Sequence, residues 1–553
     1  MVAEAFEGLF QTLARSPRAS LAAIVIAALA CFLPGLLVVP MIDGDEPGYI
    51  VAAREMNATG DFASVRLQTA NGEWRPRGEY WIAAFSSSLA GHDAPLWTYR
   101  LPSLAAAIAA AVGTWWLAIV LTSPNAALLA GMFVAGSGVV GLGARLATPD
   151  ALLLAAMVVA AGGLARIWIG YRRRQSDVWA GVFWSGIGVG ILASGVVAPA
   201  IALAAILILS IERGDARWLA RLRPGAGLAW VFLLVSPWLI ATVLALVQEG
   251  SGAGPSDQFL EQIGVPFAIK APPGTYALLL PLLAGPMATY LFTSFAWLVA
   301  DVRRPPILFG LAWGAPLWIV AELITAKQPQ SILPAMPFLA LIAATAIDAG
   351  AARIKGRVSW FYSLGPAIWP PLTAILVPAG FLAIEHRFPR VAFAAFLVAA
   401  LMGCITWLWL RRGQVLASAL AGIVTVAFIY TGFFGFIIPG ISAIRVSERV
   451  AEAAHAAMPC SDPAFAATGY PEESLVFALG ADTRLVDAWS AADFLNSAGC
   501  RMAVVERSQI PSFRQRAEDI GLAVRDRGHV IGVNLRKMNA ADLHLFTAST
   551  HDE

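Results

Sequence analysis

The stretch MIDGDEPGYIVAAREMNATGDF, residues 41–62, follows directly on an apolar run from Ser20 to Pro40. A membrane-crossing helix needs about 20 apolar residues, so this run is long enough to span. The adjacent carboxylates Asp45 and Glu46 are then held at a membrane surface. Which surface they face, and what else reaches it, sets both the architecture and the chemistry.

Composition supports the same reading along the whole chain. Of 553 residues, 58% are hydrophobic and 13% charged, against about 25% charged in a soluble domain. That depletion calls for many spans rather than one large core. The net charge of +2 offers nothing to attract a nucleic acid. MVAEAFEGLFQTLARSPRAS precedes the first span without a small-residue cleavage site, so the span reads as a retained anchor. Length and hydropathy predict about 13 transmembrane helices, near 20–41, 99–122, 124–143, 150–170, 178–194, 196–211, 227–247, 276–300, 306–325, 331–349, 365–384, 391–410 and 415–438.

Loop charge sets the orientation, because short cytoplasmic loops are enriched in Lys and Arg. With the N-terminus inside, the inner loops hold Arg15 and Arg18, Arg166 with Arg172–Arg174, and Arg213 with Arg217, Arg221 and Arg223. Further along they hold Arg303–Arg304, Arg353, Lys355, Arg357 and Arg411–Arg412. The short outer loops hold only Arg145, Lys270, Lys327, Arg387 and Arg390. The asymmetry continues past residues 178–211, which favours two helices there over one broken span. Residues 1–440 thus form a membrane domain with an outer loop at 42–98, and residues 441–553 a small outer α/β domain. In the latter, LVFALG, CRMAVVER and HVIGVNL read as strands and SFRQRAEDIGL as a helix.

The outer loop carries the candidates for chemistry. EPGYIVAAREMNATG reads as a short amphipathic helix, with Pro47 in its first turn, Gly60 at its end, and Ile50, Val51 and Met56 facing the lipid interface. Asp150, in ARLATPDALL, opens a membrane helix; it reads equally as a first-turn cap acid and as a functional carboxylate. Lys327, Arg54, Arg75 and Arg77 are cations suited to phosphate, against the alternatives of snorkelling or pairing with Glu73 or Glu79. Cys31 and Cys404 lie in apolar spans, and Cys460 and Cys500 in the polar C-terminal segment. The latter two read either as a disulfide, which an oxidising compartment favours, or as two free thiols.

The order of these motifs resembles the aminoarabinose transferase and protein O-mannosyltransferase superfamily, polytopic C-type glycosyltransferases. The carriers are DEPGYIVAAREMNATGDF, VRL, NGEW, RPRGEYW, RLPSLAAA, ARLATPDALLLA, GILASGVVAPAI, SPWLIA and AKQPQSILPAMPFLALI, which run through residues 40–350. The resemblance is to the aminoarabinose transferase-like branch. It implies a mainly α, C-type glycosyltransferase fold in a bacterial inner membrane, N-terminus cytoplasmic and C-terminal domain periplasmic. It also implies transfer of a sugar, hexosyl or pentosyl, from a polyprenyl-phosphate donor to a lipid or glycolipid acceptor of the lipid A or lipopolysaccharide-core type. Asp45, Glu46 and Asp150 are then the catalytic candidates, and Arg54, Arg75, Arg77 and Lys327 the phosphate-binding ones. Three positions depart from the family pattern. Ser194 stands where lysine is common, Gln330-Ser331 replaces a His-Tyr pair, and Trp74-Arg75-Pro76-Arg77 replaces an acidic-Lys-Pro-Pro signature. The acid of that signature is linked to a metal in aminoarabinose transferases. Its nearest substitutes here are Glu73 and Glu79, so a divalent metal has no clear ligand set. The rival readings are a lipid-linked sugar transporter or flippase, a protein O-mannosyltransferase-like enzyme, and a nonenzymatic assembly factor. Clustering of charge at the outer edge rather than at the bilayer midplane favours an enzyme.

Overall fold

The computed structural model describes residues 2–62, 78–91, 94–249, 269–354, 356–458, 460, 463–480 and 482–549. The chain begins with α1 (Val2–Arg15), which turns through 119° into α2 (Pro17–Phe32). Ser16 caps α2 by accepting the Ala19 N–H, and Pro17 occupies the first turn, where a missing N–H costs nothing. Next come α3 (Glu46–Thr59), α4 (Gly78–Ser88), α5 (Leu96–Ala118), α6 (Pro124–Ala135), α7 (Gly138–Gly143) and α8 (Asp150–Ile169).

Among the described residues nine helices are long and apolar enough to cross a membrane, and the bent α1–α2 pair allows a tenth. Other expected spans are helical but short or interrupted. Residues 124–143 divide into α6 and α7, and residues 276–300 into Thr275–Ala284, Met287–Thr293 and Phe295–Ala300. Residues 178–211 form two helices, Ser176–Ser194 and Val197–Arg213, parted at Gly195 with φ +57°.

Small residues let these helices approach closely, as in bilayers, where packing replaces the hydrophobic drive between helices. A Cβ at Gly186 would lie 2.6 Å from the Ala160 nitrogen and 2.7 Å from the Ala156 carbonyl oxygen, so α8 and the Ser176–Ser194 helix meet backbone to backbone. Large apolar side chains such as Ile211, Phe232, Leu278 and Phe361 stay exposed on the outer helix faces, as suits a multi-pass protein bathed in hydrocarbon.

The C-terminal region packs helices on both faces of a five-stranded sheet ordered β4-β3-β5-β7-β6. The strands are β3 (Ala464–Thr468), β4 (Arg484–Leu485), β5 (Arg501–Glu506), β6 (Val524–Asn534) and β7 (Asn539–Ala548). The first three run parallel, while β7 pairs antiparallel with β5 and β6. Alternation along the strands serves both faces. Phe465, Met502 and Val504 pack with the Val446–Ala457 helix, whereas Ala466, Ala503 and Val505 pack with the helices Ala488–Leu495 and Ile510–Asp519. A disulfide between Cys460 and Cys500, Cα atoms 6.6 Å apart, ties the approach to β3 to the start of β5.

Two local expectations are corrected. LVFALG is a helix, Glu473–Leu479, not a strand. Leu475, Val476 and Leu479 bury at helical spacing, and a short apolar run does not by itself separate the two conformations. The apolar face of α3 meets protein, not lipid. Ile50 and Met56 are fully buried with Tyr49, Tyr80, Ala84 and Tyr99, and Phe477 of the C-terminal region packs against that cluster.

A short two-stranded ladder completes the frame. β1 (Ile269–Lys270) pairs antiparallel with β2 (Ala326–Lys327), which follows directly on the Pro305–Leu323 helix.

Candidate active site

Four parts of the chain converge at the start of α3: residues 43–46, the turn 147–150, Lys327-Gln328, and residues 470–477. Arg100, near the start of α5, is fully buried there and organises the first two. Its Nε and Nη2 each donate to one oxygen of Glu46 at 2.7 Å. Its Nη1 donates to the Val39 carbonyl at 2.7 Å. Glu46 also accepts the Ala147 N–H at 2.9 Å. This is a two-pronged ion pair with further hydrogen bonds, the arrangement under which buried charges are tolerated. It fastens the start of α3 to the segment that follows α2, to α5, and to the turn that opens α8.

Asp45 sits at the N-cap position of α3 and is half-buried, but its side chain does not cap the helix. The side chain lies toward Gln328, whose Nε2 is 3.5 Å from Oδ2, at the long limit for a hydrogen bond. Gln328 is itself set by Tyr276. The Tyr276 hydroxyl donates to the Gln328 carbonyl at 2.7 Å and accepts the Gln328 N–H at 3.0 Å. Asp150 lies in the first turn of α8 and accepts from the Thr148 hydroxyl at 2.8 Å. It therefore belongs to the turn that Glu46 holds through Ala147.

The expected phosphate ligands are placed differently. Lys327 is buried, and its Nζ donates to the carbonyls of Ala321 at 2.7 Å and Glu322 at 2.6 Å. It also lies 3.7 Å from the Glu322 carboxylate and over the Tyr276 ring. In this position it serves the last carbonyls of the Pro305–Leu323 helix, where a cation complements the helix dipole. Glu322 accepts the Gly274 and Ala277 N–H groups, capping the Thr275–Ala284 helix. Arg54 reaches the C-terminal region, with Nη1 3.4 Å from the Phe477 carbonyl and the guanidinium over the Phe477 ring. Arg75, Arg77 and Glu73 lie outside the described residues, as does the side chain of Glu79. Among the described residues no three of His, Cys, Asp and Glu converge as metal ligands.

Sequence reasoning passed over four contributors. Arg100 carried a signal, since a cation in an apolar helix needs a partner. Asp43, Gln328 and Lys270 carried none that set them apart. Lys270 stands opposite Ala326 on β1, exposed and without an ion-pair partner among the described residues.

Beside the convergence is an apolar cavity of about 400 Å³ between α3, α4, α5 and α8. Tyr49, Tyr99, Ser103, Ala106, Thr148 and Leu152 are among its walls. Pro102 interrupts α5 at its edge. A space in the usual range for ligand sites, mostly apolar with a few hydroxyls at one end, suits a hydrocarbon chain carrying a polar head.

Residues 75–240 match the family model for dolichyl-phosphate-mannose-protein mannosyltransferase. No curated protein matches the chain in sequence. The structure is similar to that of ArnT from Cupriavidus metallidurans in the apo state, with a TM-score of 0.72 at 17% identity, covering 98% of each chain. It is as similar to the same protein bound to undecaprenyl phosphate, with a TM-score of 0.72 at 18% identity, covering 94% of this chain and 96% of that one. The apo oligosaccharyltransferase of Archaeoglobus fulgidus gives a TM-score of 0.52 at 11% identity, covering 92% of this chain and 69% of that one. The fold is that of ArnT.

Proposed function

We propose that this chain is a membrane glycosyltransferase that moves a sugar, hexosyl or pentosyl, from a polyprenyl-phosphate donor to a lipid or glycolipid acceptor of the lipid A or lipopolysaccharide-core type. The loop-charge asymmetry supports a site on the outer side with the N-terminus inside, and the family resemblance supports the periplasmic face of a bacterial inner membrane. The observation that carries the reading is Asp45. It is a half-buried carboxylate directed at Gln328, beside an apolar cavity, in a fold shared with a protein solved with undecaprenyl phosphate.

The acceptor oxygen attacks the anomeric carbon of the sugar, and the bond from that carbon to the donor phosphate oxygen breaks. The bonding pair leaves on polyprenyl phosphate. When the acceptor is a hydroxyl, its proton passes to the Asp45 carboxylate, whose side chain does not cap α3. When the acceptor is itself a phosphate, Asp45 positions the sugar. Gln328 orients Asp45, and Glu46 with Arg100 sets the start of α3 rather than touching substrate. Asp150 lines the same turn and is the candidate for sugar hydroxyls. Lys270, exposed on β1 next to β2, is the candidate for the leaving phosphate, with Arg75 and Arg77 as further candidates. Lys327 ties β2 to the end of the Pro305–Leu323 helix. The cavity between α5 and α8 takes the hydrocarbon of a lipid substrate, so that its head group lies near Thr148 and Asp150.

The test is transfer by the purified protein in vesicles, from polyprenyl-phosphate sugars to a lipid acceptor, with products read by mass spectrometry. The expected product is the acceptor heavier by one glycosyl unit, absent with Asp45→Asn. Donor crossing the bilayer with no glycosylated product would instead establish the flippase.

A further inference from the structure

Asp43, two residues before Asp45, is buried under the C-terminal region, and both of its oxygens are taken from there. The Tyr470 hydroxyl donates to Oδ2 and the Ser474 hydroxyl to Oδ1. Ser474 is also hydrogen-bonded to Ser447, at 2.8 Å, on the helix that leads into that region. Seven residues on from Tyr470 and three on from Ser474, Phe477 closes on Arg54 through its carbonyl and its ring. Tyr470 and the helix Glu473–Leu479 therefore grip the chain on both sides of Asp45, ahead of it at Asp43 and beyond it at Arg54 on α3. Behind the grip, Glu472 is buried and held by Asn534 at 2.9 Å, with Arg536 at 3.6 Å. The linker is seated too, since Glu385 accepts the Ser442 N–H at 2.6 Å and its hydroxyl at 2.9 Å.

Burying a carboxylate is costly unless it is hydrogen-bonded. Here the donors come from a part of the chain more than 400 residues away. Those bonds do nothing for the local geometry of residues 41–46 that a nearer donor would not do. What they add is a fixed relation between the C-terminal region and the segment that carries Asp45.

We infer that Tyr470 and Ser474 are positioning residues for the transfer reaction. Through Asp43 they hold the Asp45 segment at its working place over the cavity, which makes the C-terminal region a working part of the site. The inference rests on the glycosyltransferase reading for its kinetic consequence, but the grip itself is testable without activity.

The experiment compares Tyr470→Phe, Ser474→Ala, the double variant, Asp43→Asn and Asp43→Ala in the full-length protein, by hydrogen exchange and by kinetics. Exchange of the α3 amides is expected to rise about tenfold or more in the double variant, since one lost hydrogen bond to a charged group already accounts for about tenfold. Exchange in the membrane helices is expected to stay as in wild type. Transfer kcat is expected to fall about tenfold or more with donor KM unchanged, since a small misplacement of a reacting group costs rate. Asp43→Asn, which still accepts a hydroxyl, is expected to fall between wild type and Asp43→Ala. Adding Tyr470→Phe to Asp43→Ala is expected to change little, because the pair acts as one unit. Unchanged α3 exchange overturns the grip. Loosened α3 with undiminished kcat overturns the positioning role, and so does faster exchange spread over every helix. A wild-type protein that transfers nothing from any donor sinks the glycosyltransferase reading alone, while α3 exchange still decides the grip.

Discussion

The start of α3 and strand β2 each set a charged residue beside a neighbour, and the structure divides each pair the same way. Of Asp45-Glu46, Glu46 turns inward to Arg100 and Ala147, while Asp45 stays half-exposed. Of Lys327-Gln328, Lys327 turns inward to the end of the Pro305–Leu323 helix, and Gln328 reaches Asp45. In both pairs the inward residue answers an unsatisfied demand of the scaffold, a buried guanidinium in one case and helix-end carbonyls in the other. The outward residues then meet each other. Charge written in the sequence is therefore a poor guide to charge available to a ligand.

The comparison breaks most visibly at Asp45. Asp45→Asn should lower transfer by about 100- to 10,000-fold, the range for loss of a positioned base, with normal insertion and thermal unfolding. Activity near wild type would return the chemical role to another carboxylate. Its neighbour should behave in the opposite way. Arg100→Ala or Glu46→Ala strands a buried charge and should cost about 3–5 kcal/mol of stability, read from unfolding in detergent. A variant as stable as wild type but inactive would move Glu46 into the chemistry.

The second pair sharpens the contrast at a smaller scale. Lys327→Ala should cost about 1–2 kcal/mol, the scale of a partly buried cation at a helix C-terminus. A rise confined to donor KM would restore this lysine to the phosphate. Gln328→Ala should leave stability alone and lower kcat by about threefold to tenfold, as expected for one weak hydrogen bond. The smallest effect is that of pH on the grip of the C-terminal region. Burial raises the Asp43 carboxyl above its ordinary value, with Ser474, Tyr470 and Arg536 opposing, and burial likewise raises Glu472. The docked state then binds protons more tightly than the undocked one. Docking should tighten as pH falls through those raised values and loosen as pH rises through them. Slower α3 exchange at about pH 5 than at about pH 8, after correction for intrinsic rates, would show it.

Legibility in the sequence followed length scale. Apolar runs of some 20 residues announced the helices, and Gly195 parted the 178–211 region where loop charge favoured two of them. Gly60 ends α3 in the left-handed conformation that its position suggested. Short segments were less readable. LVFALG has six residues, too few for one period to prevail, and α3 has an apolar face whose partner, lipid or protein, no local pattern states. Least readable were side chains satisfied from far away. Nothing near Asp43 in the chain announces Tyr470, and nothing near Arg54 announces Phe477.

What the sequence by itself determined was the membrane architecture and the family likeness, and it set the expectation for the side of the acidic loop. These follow from burial of apolar length and from loop charge, which sum over many residues and tolerate local error. Only the tertiary structure decided which ionisable groups are already used. A buried carboxylate or ammonium must be matched by whatever donors or acceptors the fold brings to it. For Glu46, Lys327 and Asp43 those partners come from other segments or helix ends, and what remains for chemistry is settled by that matching.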